Sequence, residues 1–304
     1  IIMPTYNRAW CIERAINSVL SQDNSNWQLV IVDDGSTDGT DGIIKKYLDD
    51  KRIKYYYQDN QGVNRARNKG IELADCDFIT LLDSDDEFLP CAIQTIINDI
   101  HLLENNLSAI LYKRKDYKSN KEVSNEIEES EISYIDALQN RWPKYETVAV
   151  FRKSLFDIIK FPDFKGGGEA YFWMSCLKEI GPVLRKKDVL GIYHTEHTNR
   201  LTGGEQIFAR AESMVNFYDQ YLIKFKEDLI KYNKSKYGLY YYNKAVFEIL
   251  IGKMTEARRS LMSGYKFKKN ILIFITLFIV SFFAKKIMKI IMKFGYRFKE
   301  VFHE

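Results

Sequence analysis

The sequence lacks the residue patterns that mark disulfide-rich, zinc-binding and nucleic-acid-binding proteins. Its 304 residues include four cysteines, none in a Cys-x-x-Cys pair, so neither a disulfide framework nor a zinc site is predicted. We expect these cysteines to be buried free thiols in a reducing compartment. The net charge is only +4, and we expect no nucleic-acid partner. No secretory signal is visible, although the chain opens at Ile1 without an initiator methionine.

The sequence also lacks an apolar run that would cross a membrane as an upright helix. Residues 271–284 are almost wholly apolar, but 14 helical residues span about 21 Å, short of the roughly 30 Å hydrocarbon core. Lys285, Lys289 and Lys293 follow at intervals of four, on one helix face. We predict that residues 266–304 form an apolar and basic amphipathic tail on an anionic membrane surface. A helix packed on the protein itself, or a single tilted span, is the alternative.

The first 112 residues alternate between apolar runs and helical patterns. Strands are predicted at the start of the chain and at 29–32, 53–57, 78–82 and 109–112. Helices are predicted between them, from Ile12 to Leu20, around residues 43–48, from Ala66 to Ala74 and from about Leu89 to Leu103. This alternation, with near-continuous apolar strands, predicts an α/β fold whose mostly parallel sheet is covered by helices on both faces.

The rest of the chain changes character twice. Residues 113–145 are polar and charged, which predicts a surface excursion. Strand character returns at 147–151 and 189–193, with a helix from Glu169 to about Glu179 between them. From about residue 205 the pattern is helical, with a hairpin around Gly252.

Three predicted strands end in polar residues. The motifs are Pro4-Thr5-Tyr6-Asn7, Asp33-Asp34-Gly35-Ser36 and Asp83-Ser84-Asp85-Asp86. In an open parallel sheet, ligands bind at the carboxyl ends of the strands, so the three motifs should meet at one edge.

The third motif carries the most pointed chemical signal. Three carboxylates within four residues repel one another unless a cation is present. Oxygen ligands suit a hard divalent ion such as Mg²⁺ or Mn²⁺. The alternative is an acidic turn that stabilises the N-terminus of the next helix.

The other two signals are weaker when each is taken alone. Asp34 could accept a hydrogen bond from a nucleobase imide, but Asp-Gly-Ser is also ordinary turn chemistry. Residues 62–70 open a helix and include Arg65 and Arg67, a combination that attracts phosphate. They could equally form a solvated basic face.

Together, these motifs resemble glycosyltransferase family 2. The matching segments are Pro4-Thr5-Tyr6-Asn7, Val32 to Asp38, Gly62 to Gly70 and Leu82 to Asp86; the match is dense over residues 1–90 and thinner to about residue 203. The resemblance implies a GT-A-type, Rossmann-like fold and an inverting transfer of sugar from a nucleotide-diphosphate donor, usually a uridine nucleotide, with Mn²⁺ or Mg²⁺ as cofactor.

The resemblance also implies residue roles. Donor-binding residues would be Pro4, Thr5, Tyr6, Asn7, Asp34, Arg67, Asp83, Asp85 and His197. The metal ligands would be Asp85, Asp86 and His197, with His197 preferred over His194.

Gly168 to Trp173 resembles the family's Glu-Asp-x-x-x-Trp region, which supplies the catalytic base. Counted back from Trp173, Glu169 stands at the base position, and Ala170 replaces the second acid of the usual pair. Glu169 could instead be a first-turn acid that stabilises its helix.

The domains we expect are a catalytic domain at 1–203, with a donor half at 1–112 and an acceptor half at 113–203, a helical region at 204–265 and the tail at 266–304. The implied activity is a hexosyl- or N-acetylhexosaminyl-transferase acting on a hydroxyl of a lipid-linked saccharide or surface polysaccharide. We expect it in the cytoplasm, attached peripherally to the inner face of the plasma membrane. The alternatives are a sugar-nucleotide-binding protein without catalysis and a magnesium-dependent phosphohydrolase, whose usual motif has Thr or Val where this chain has Glu87.

Overall fold

The computed structural model describes residues 1–104, 106–121, 129–142, 147–164, 168–194 and 210–281. The chain separates into two compact units, Ile1–His197 and Thr198–Glu304.

The first unit begins with three parallel strands. They are β1 (Ile2–Thr5), β2 (Leu29–Asp33) and β3 (Ile53–Tyr57), side by side in that order. The intervening helices are α1 (Ile12–Leu20), α2 (Thr40–Ile44), which a 3-10 turn extends to Tyr47, and α3 (Val63–Leu73). Every residue of β1 and β2 is buried, as their apolar runs predict. Helix α3 lies close to β1 at Gly70, where the missing side chain makes room: a Cβ there would lie 2.5 Å from the side chain of Ile2.

The rest of the first unit forms a mixed sheet. Its strands are β4 (Phe78–Thr80), β5 (Glu87–Phe88), β6 (Ala109–Asp116), β7 (Ser130–Ile132), β8 (Thr147–Arg152) and β9 (Val183–Tyr193). Its helices are α4 (Ala92–Asp99), a 3-10 segment from Ile100 to Glu104, α5 (Tyr134–Leu138), α6 (Leu155–Ile158) and α7 (Glu169–Glu179). The strand order is β4-β8-β6-β9-β5, with β7 on β9. A parallel bridge between Ile2 and Leu81 joins this sheet to β1.

The α/β architecture is confirmed, but the sheet is more mixed than predicted. Strand β8 pairs antiparallel with β4 and β6, and β9 pairs antiparallel with β5 and β7, while β6 and β9 are parallel. An apolar run predicts burial on both faces but carries no signal for strand direction.

The predicted surface excursion at 113–145 is wrong at its start. Strand β6 continues to Asp116, and the side chains of Lys113 and Arg114 are buried. The described part of the segment also contributes β7 and α5. The cysteine prediction is half wrong: all four are free, but only Cys11 and Cys176 are buried, while Cys76 and Cys91 are exposed.

The described part of the second unit is helical. It contains α8 (Ala211–Lys224), α9 (Lys226–Tyr232), α10 (Lys234–Leu250), α11 (Met254–Phe267) and α12 (Ile271–Val280). The predicted hairpin is present: α10 and α11 flank Gly252, whose φ of 83° ends the first helix. Leu277 is buried in the apolar cluster of these helices, and Ile273, Phe274 and Phe278 pack against it.

No helix in the described part of the chain is both long and apolar enough to cross a membrane. The predicted basic stripe of Lys285, Lys289 and Lys293 lies outside the described residues.

Candidate active site

The first two motifs are tied together at the carboxyl edge of the parallel strands. The backbone N–H of Asp34 donates a hydrogen bond to the carbonyl of Thr5 at 2.8 Å. The backbone N–H of Asn7 donates to Ser36 Oγ at 2.9 Å, and that of Thr37 donates to Asn7 Oδ1 at 2.8 Å. Asn7 has a φ of 53°, a conformation that asparagine tolerates better than most residues. The ends of β1 and β2 therefore form one polar edge.

The Asp34 carboxylate anchors the start of α3 to this edge. It is buried, and it accepts hydrogen bonds from Gln58 Nε2 at 2.7 Å and from the backbone N–H groups of Gln61 and Gly62, each at 2.8 Å. A carboxylate offers about four lone-pair positions, so these three donors leave one position without a partner among the described residues.

The first motif presents both buried and exposed groups. Pro4 and Thr5 are buried at the end of β1, and Thr5 Oγ1 has no hydrogen-bond partner among the described residues. The ring of Tyr6 is exposed beside them. A buried hydroxyl without a partner is costly unless a ligand or water completes it, so this edge suits a polar ligand.

Arg67 connects Asp83 of the third motif to Glu169, the predicted catalytic base. Its Nη1 donates to Glu169 Oε1 at 2.8 Å and its Nη2 donates to Asp83 Oδ1 at 3.2 Å. The guanidinium is almost fully buried, 5.5 Å from the centre of the Phe161 ring. Glu169, by contrast, is largely exposed. The sequence separation between Arg67 and Glu169 is 102 residues, and the fold brings them into contact.

The segment before Glu169 is held by the same helix that carries Arg67. Asn64 Nδ2 donates to the carbonyl of Pro162 at 3.0 Å. Asn68 exchanges two hydrogen bonds with the backbone of Phe161, at 2.9 Å and 3.0 Å. Gly168 then starts α7 with a φ of 90°, which favours glycine. Helix α3 thus sets the position of Glu169 at the N-terminus of α7.

The carboxylates of the third motif occupy different environments. Burial opposes the charge of Asp83, but Arg67 and Arg114 outweigh it and hold its pKa below the usual range. Burial and the charge of Asp83 raise the pKa of Asp85, although Arg8 lies 3.6 Å away and opposes this. The crowding of negative charge predicted from the sequence is therefore present at Asp83 and Asp85, which are also partly exposed.

Asp86 is turned into the protein. Its Oδ2 accepts a hydrogen bond from Arg114 Nη1 at 2.6 Å, and its Oδ1 accepts one from the backbone N–H of His194 at 3.2 Å. Burial raises its pKa to about 7, against the opposing effect of Arg114. The side chains of Asp86 and Arg114 are only 2% and 5% exposed, so this ion pair is buried beneath the acidic motif.

His194 lies beside this buried ion pair. Its Nε2 lies 2.6 Å from Glu87 Oε1, and its ring packs 4.4 Å from that of Tyr117. Glu87 also forms an ion pair with Arg14 at 3.3 Å. His197, the preferred histidine of the sequence analysis, lies outside the described residues.

The residues present fit a divalent cation in part. Asp83 and Asp85 offer partly exposed carboxylate oxygens, and Mg²⁺ or Mn²⁺ is usually held by one or two carboxylates, with phosphates and water as further ligands. Across the described ranges, no three His, Cys, Asp or Glu side chains are grouped closely enough to hold an ion. The geometry favours Asp85 over the buried Asp86, and both metal assignments stay predictions.

The arginines that balance these carboxylates were not among the residues predicted from the sequence. Arg8 and Arg114 lie beside Asp85 and Asp86, and Arg14 Nη2 donates to the carbonyl of Asp85 at 2.6 Å. Arg8 follows the first motif directly and could have been included with it. Arg114 stands in a Lys-Arg-Lys run that resembles a surface segment, so no local signal marks it.

A cavity of about 550 Å³ lies beside this edge. It is lined by residues of β3, α3 and α6 and of the adjoining loops, which include Gln58 and Gln61, the residues that donate hydrogen bonds to Asp34. None of the predicted donor or metal residues lines it.

Fold and site together define a GT-A-type glycosyltransferase: a Rossmann-like half whose strand ends carry a buried aspartate, an arginine and an acidic motif. A match to the family described as Glycosyl transferase family 2 covers residues 1–160, more than half of the chain. The chain belongs to that family.

Named relatives act on sugars carried by a lipid. The chain is 34% identical over 184 residues to the GalNAc(5)-diNAcBac-PP-undecaprenol beta-1,3-glucosyltransferase of Campylobacter jejuni, covering 59% of this chain and 59% of the relative. It is 33% identical over 180 residues to the UDP-Glc:alpha-D-GlcNAc-diphosphoundecaprenol beta-1,3-glucosyltransferase WfgD of Escherichia coli, covering 59% of this chain and 69% of the relative. The similarity therefore spans under two thirds of the Campylobacter enzyme.

Solved structures share the fold. Residues 1–349 of S. aureus TarS in complex with UDP match with a TM-score of 0.59 at 17% identity, over 97% of this chain and 91% of that one. The mannosyltransferase PcManGT of Pyrobaculum calidifontis in complex with GDP-Man and Mn²⁺ matches with a TM-score of 0.54 at 15% identity, over 97% of this chain and 86% of that one. At these identities the likeness shows the fold alone.

Proposed function

We propose that this protein is an inverting glycosyltransferase that moves a hexose or N-acetylhexosamine from a UDP-sugar to a hydroxyl of a lipid-linked saccharide. The observation that carries the proposal is the contact of Arg67 with both Asp83 and Glu169. This contact connects the acidic motif to the exposed carboxylate of Glu169, which can act as a base.

The donor assignment follows from the polar edge. Thr5, Tyr6 and Asp34 surround the place for a nucleoside, with the free Thr5 hydroxyl and the remaining lone pair of Asp34 available to it. Pro4 and Asn7 shape that edge, and Arg67, Asp83 and Asp85 stand where a diphosphate would lie. Asp83 and Asp85 would hold Mn²⁺ or Mg²⁺, with His197 a further ligand. The ion would neutralise phosphate charge. WfgD of Escherichia coli is named as a UDP-Glc-dependent glucosyltransferase, which supports a UDP-sugar as the donor.

The chemical step assigned to this chain is proton removal by Glu169. The acceptor hydroxyl attacks the anomeric carbon from the face opposite the nucleotide, and the C–O bond to the diphosphate breaks. The carboxylate of Glu169 takes the hydroxyl proton, which is worth about 10²–10⁴-fold in rate. Arg67 orients that carboxylate through its 2.8 Å hydrogen bond. A single displacement inverts the configuration.

The test uses Glu169→Gln with Glu179→Gln at the other end of α7 as a matched control. Transfer is followed as UDP release from UDP-glucose and UDP-GlcNAc with short-chain alkyl glycosides of GlcNAc and GalNAc. Donor binding is followed as thermal stabilisation by the same nucleotides with Mn²⁺. We expect Glu169→Gln to lower turnover at least 100-fold while sparing donor binding, and the control to do neither. Full turnover in Glu169→Gln would remove Glu169 from this role, and a wild-type protein that binds donor without any turnover would be a binding protein.

We propose further that the second unit attaches the protein to a lipid surface on the cytoplasmic face of the membrane. Helix α12 packs one side on the helical cluster through Leu277, but Ile271, Leu272, Ile275 and Ile279 on its other side are 46% to 73% exposed. The exposed Lys269 precedes this face, and a basic flank suits anionic lipid. A helix packed along one side would lie in the plane of the surface.

Vesicle binding tests this attachment. The double variant Leu272→Glu, Ile275→Glu should bind vesicles of anionic and zwitterionic phospholipid at least ~10-fold more weakly than the wild type, because two apolar side chains no longer enter the bilayer. Ile223→Glu on α8, where the isoleucine is 78% exposed, is the control and should bind as the wild type does. Equal binding of all three proteins would contradict the proposal.

A further inference from the structure

Two tryptophans stand beside the proposed base, and the proposed chemistry gives them no role. Trp173 follows Glu169 by four residues on α7, which places both on one helix face with their Cβ atoms about 5–6 Å apart. Side chains on a helix lean toward its N-terminus, so the indole of Trp173 leans toward Glu169. Trp142, from the segment after α5, brings its ring to 5.2 Å from that of Trp173, at an angle of 44°.

The two tryptophans lie at the partly exposed side of an aromatic cluster. The ring of Trp173 stacks on Phe151 of β8 at 5.3 Å and meets Phe172 edge-on at 5.6 Å. Phe151 and Phe172 are fully buried, whereas both tryptophans are only partly buried. The buried phenylalanines pack against Trp173, and part of each indole remains exposed to solvent.

We propose that Trp142 and Trp173 form a binding site for the sugar ring of the acceptor that presents its hydroxyl to Glu169. The inference rests on the proposed function and adds the acceptor subsite to it. One face of a pyranose ring consists largely of C–H groups, which pack on an indole, while its hydroxyls at the rim stay free for hydrogen bonds. The distance of one helical turn between Trp173 and Glu169 matches the width of a single sugar ring, so a ring on the indole places one of its hydroxyls at the carboxylate.

The chemistry of the site selects the ligand class. Aromatic faces bind the apolar face of a saccharide and give nothing to a bare phosphate or to an extended acidic chain. The Campylobacter and Escherichia relatives are named for acceptors that contain N-acetylated sugars. The probes are therefore methyl glycosides of GlcNAc and GalNAc, with methyl glucoside as the comparison.

Binding is measured without relying on activity. Saturation-transfer NMR with millimolar methyl N-acetylhexosaminides should show the strongest transfer to the ring C–H protons of one sugar face in the wild type. The same signal should persist in Glu169→Gln, which we expect to lower turnover, and should fall at least 3-fold in Trp142→Ala. Trp142→Phe should keep most of it, because the ring remains. Trp173→Phe, which keeps the contact with Phe151, should reduce the signal without loss of folding.

Kinetics give the second readout. Trp142→Ala should raise the KM for an alkyl GlcNAc acceptor about 3- to 30-fold, with kcat within about 2-fold and donor-induced thermal stabilisation unchanged. Tyr134→Ala is the matched control, since Tyr134 lies on α5 near Lys178 at the far end of α7. It should leave the acceptor KM unchanged.

The outcomes separate this inference from the proposed function. Absence of saturation transfer in the wild type for every probe, or equal transfer and equal acceptor KM in Trp142→Ala, would overturn the acceptor subsite while leaving donor binding and turnover intact. A protein that no UDP-sugar stabilises would instead overturn the proposed function.

Discussion

The buried ion pair beneath the acidic motif makes a quantitative prediction. Arg114 and Asp86 are 2.6 Å apart with side chains 5% and 2% exposed, and the other described contact of the Asp86 carboxylate is the N–H of His194. Arg114→Met keeps the volume of the side chain and removes its charge. Removal of one partner of a buried pair costs about 3–5 kcal/mol under conditions where the remaining partner is ionised, because its charge is left uncompensated.

The pH dependence of this loss follows from the pKa of Asp86. Burial raises that pKa to about 7 in the wild type even though Arg114 opposes the shift, so its loss should raise the pKa further. A carboxyl whose folded-state pKa exceeds its unfolded value stabilises the fold at low pH, and this stability is lost as pH rises through the folded pKa. Well below pH 7, Asp86 is protonated in both proteins, so the deficit of Arg114→Met is smaller and constant there. Above pH 7 the deficit should grow by up to about 1.4 kcal/mol per pH unit, for as long as Asp86 stays protonated in the variant.

The assay is urea unfolding of the full chain at pH 6 and pH 8.5, followed by near-UV circular dichroism. Arg65→Met is the control, because Arg65 forms an exposed ion pair with Asp163, which solvent screens, so its loss should change stability little and equally at both pH values. The double variant Asp86→Leu, Arg114→Met should recover part of the loss, since it leaves no buried charge. A deficit of Arg114→Met below about 1 kcal/mol at pH 8.5, or the same deficit at both pH values, would refute the reasoning.

Three further predictions concern glycines and the donor edge. Gly70→Ala should destabilise the fold by about 1–3 kcal/mol in urea unfolding, because its Cβ would lie 2.5 Å from the side chain of Ile2. Gly42→Ala is the control: it has open space around it and should be neutral or stabilise the fold by up to about 1 kcal/mol. A change of the same sign in both variants would contradict this prediction. Gly168→Ala should lower turnover at least ~10-fold without changing donor-induced thermal stabilisation. Its φ of 90° disfavours alanine and its Cβ would lie 2.5 Å from the ring of Phe164, so the helix that carries Glu169 should be displaced. Turnover equal to that of the wild type would argue against the assigned position of the base. Asp34→Asn should weaken UDP binding at least ~10-fold, as measured by calorimetry. An amide cannot accept all three hydrogen bonds that the Asp34 carboxylate now accepts. An unchanged affinity for UDP would mean that the nucleoside binds elsewhere.

Part of the site followed from local sequence. Parallel strands with polar residues after their last apolar position bring those residues to one edge, and Thr5 and Asp34 are hydrogen-bonded there as that rule predicts. The choice of Asp34 over Asp33 came from the family resemblance and not from the local pattern. Asp33 accepts hydrogen bonds from Ser36 and Tyr55 within the fold, whereas Asp34 holds the start of α3, and nothing in a run of two aspartates separates these roles.

The sequence by itself determined the apolar strands and helices, the place of the polar motifs along the chain and the family they resemble, because these depend on residue type and spacing within short windows. Only the tertiary structure decided the antiparallel half of the sheet, the burial of Arg114 against Asp86 and the contact of Arg67 with Glu169. Those features depend on contacts between residues tens of positions apart. Strand direction and the partner of a charge are settled by which groups the fold brings together in a low-dielectric interior, and no local pattern encodes them.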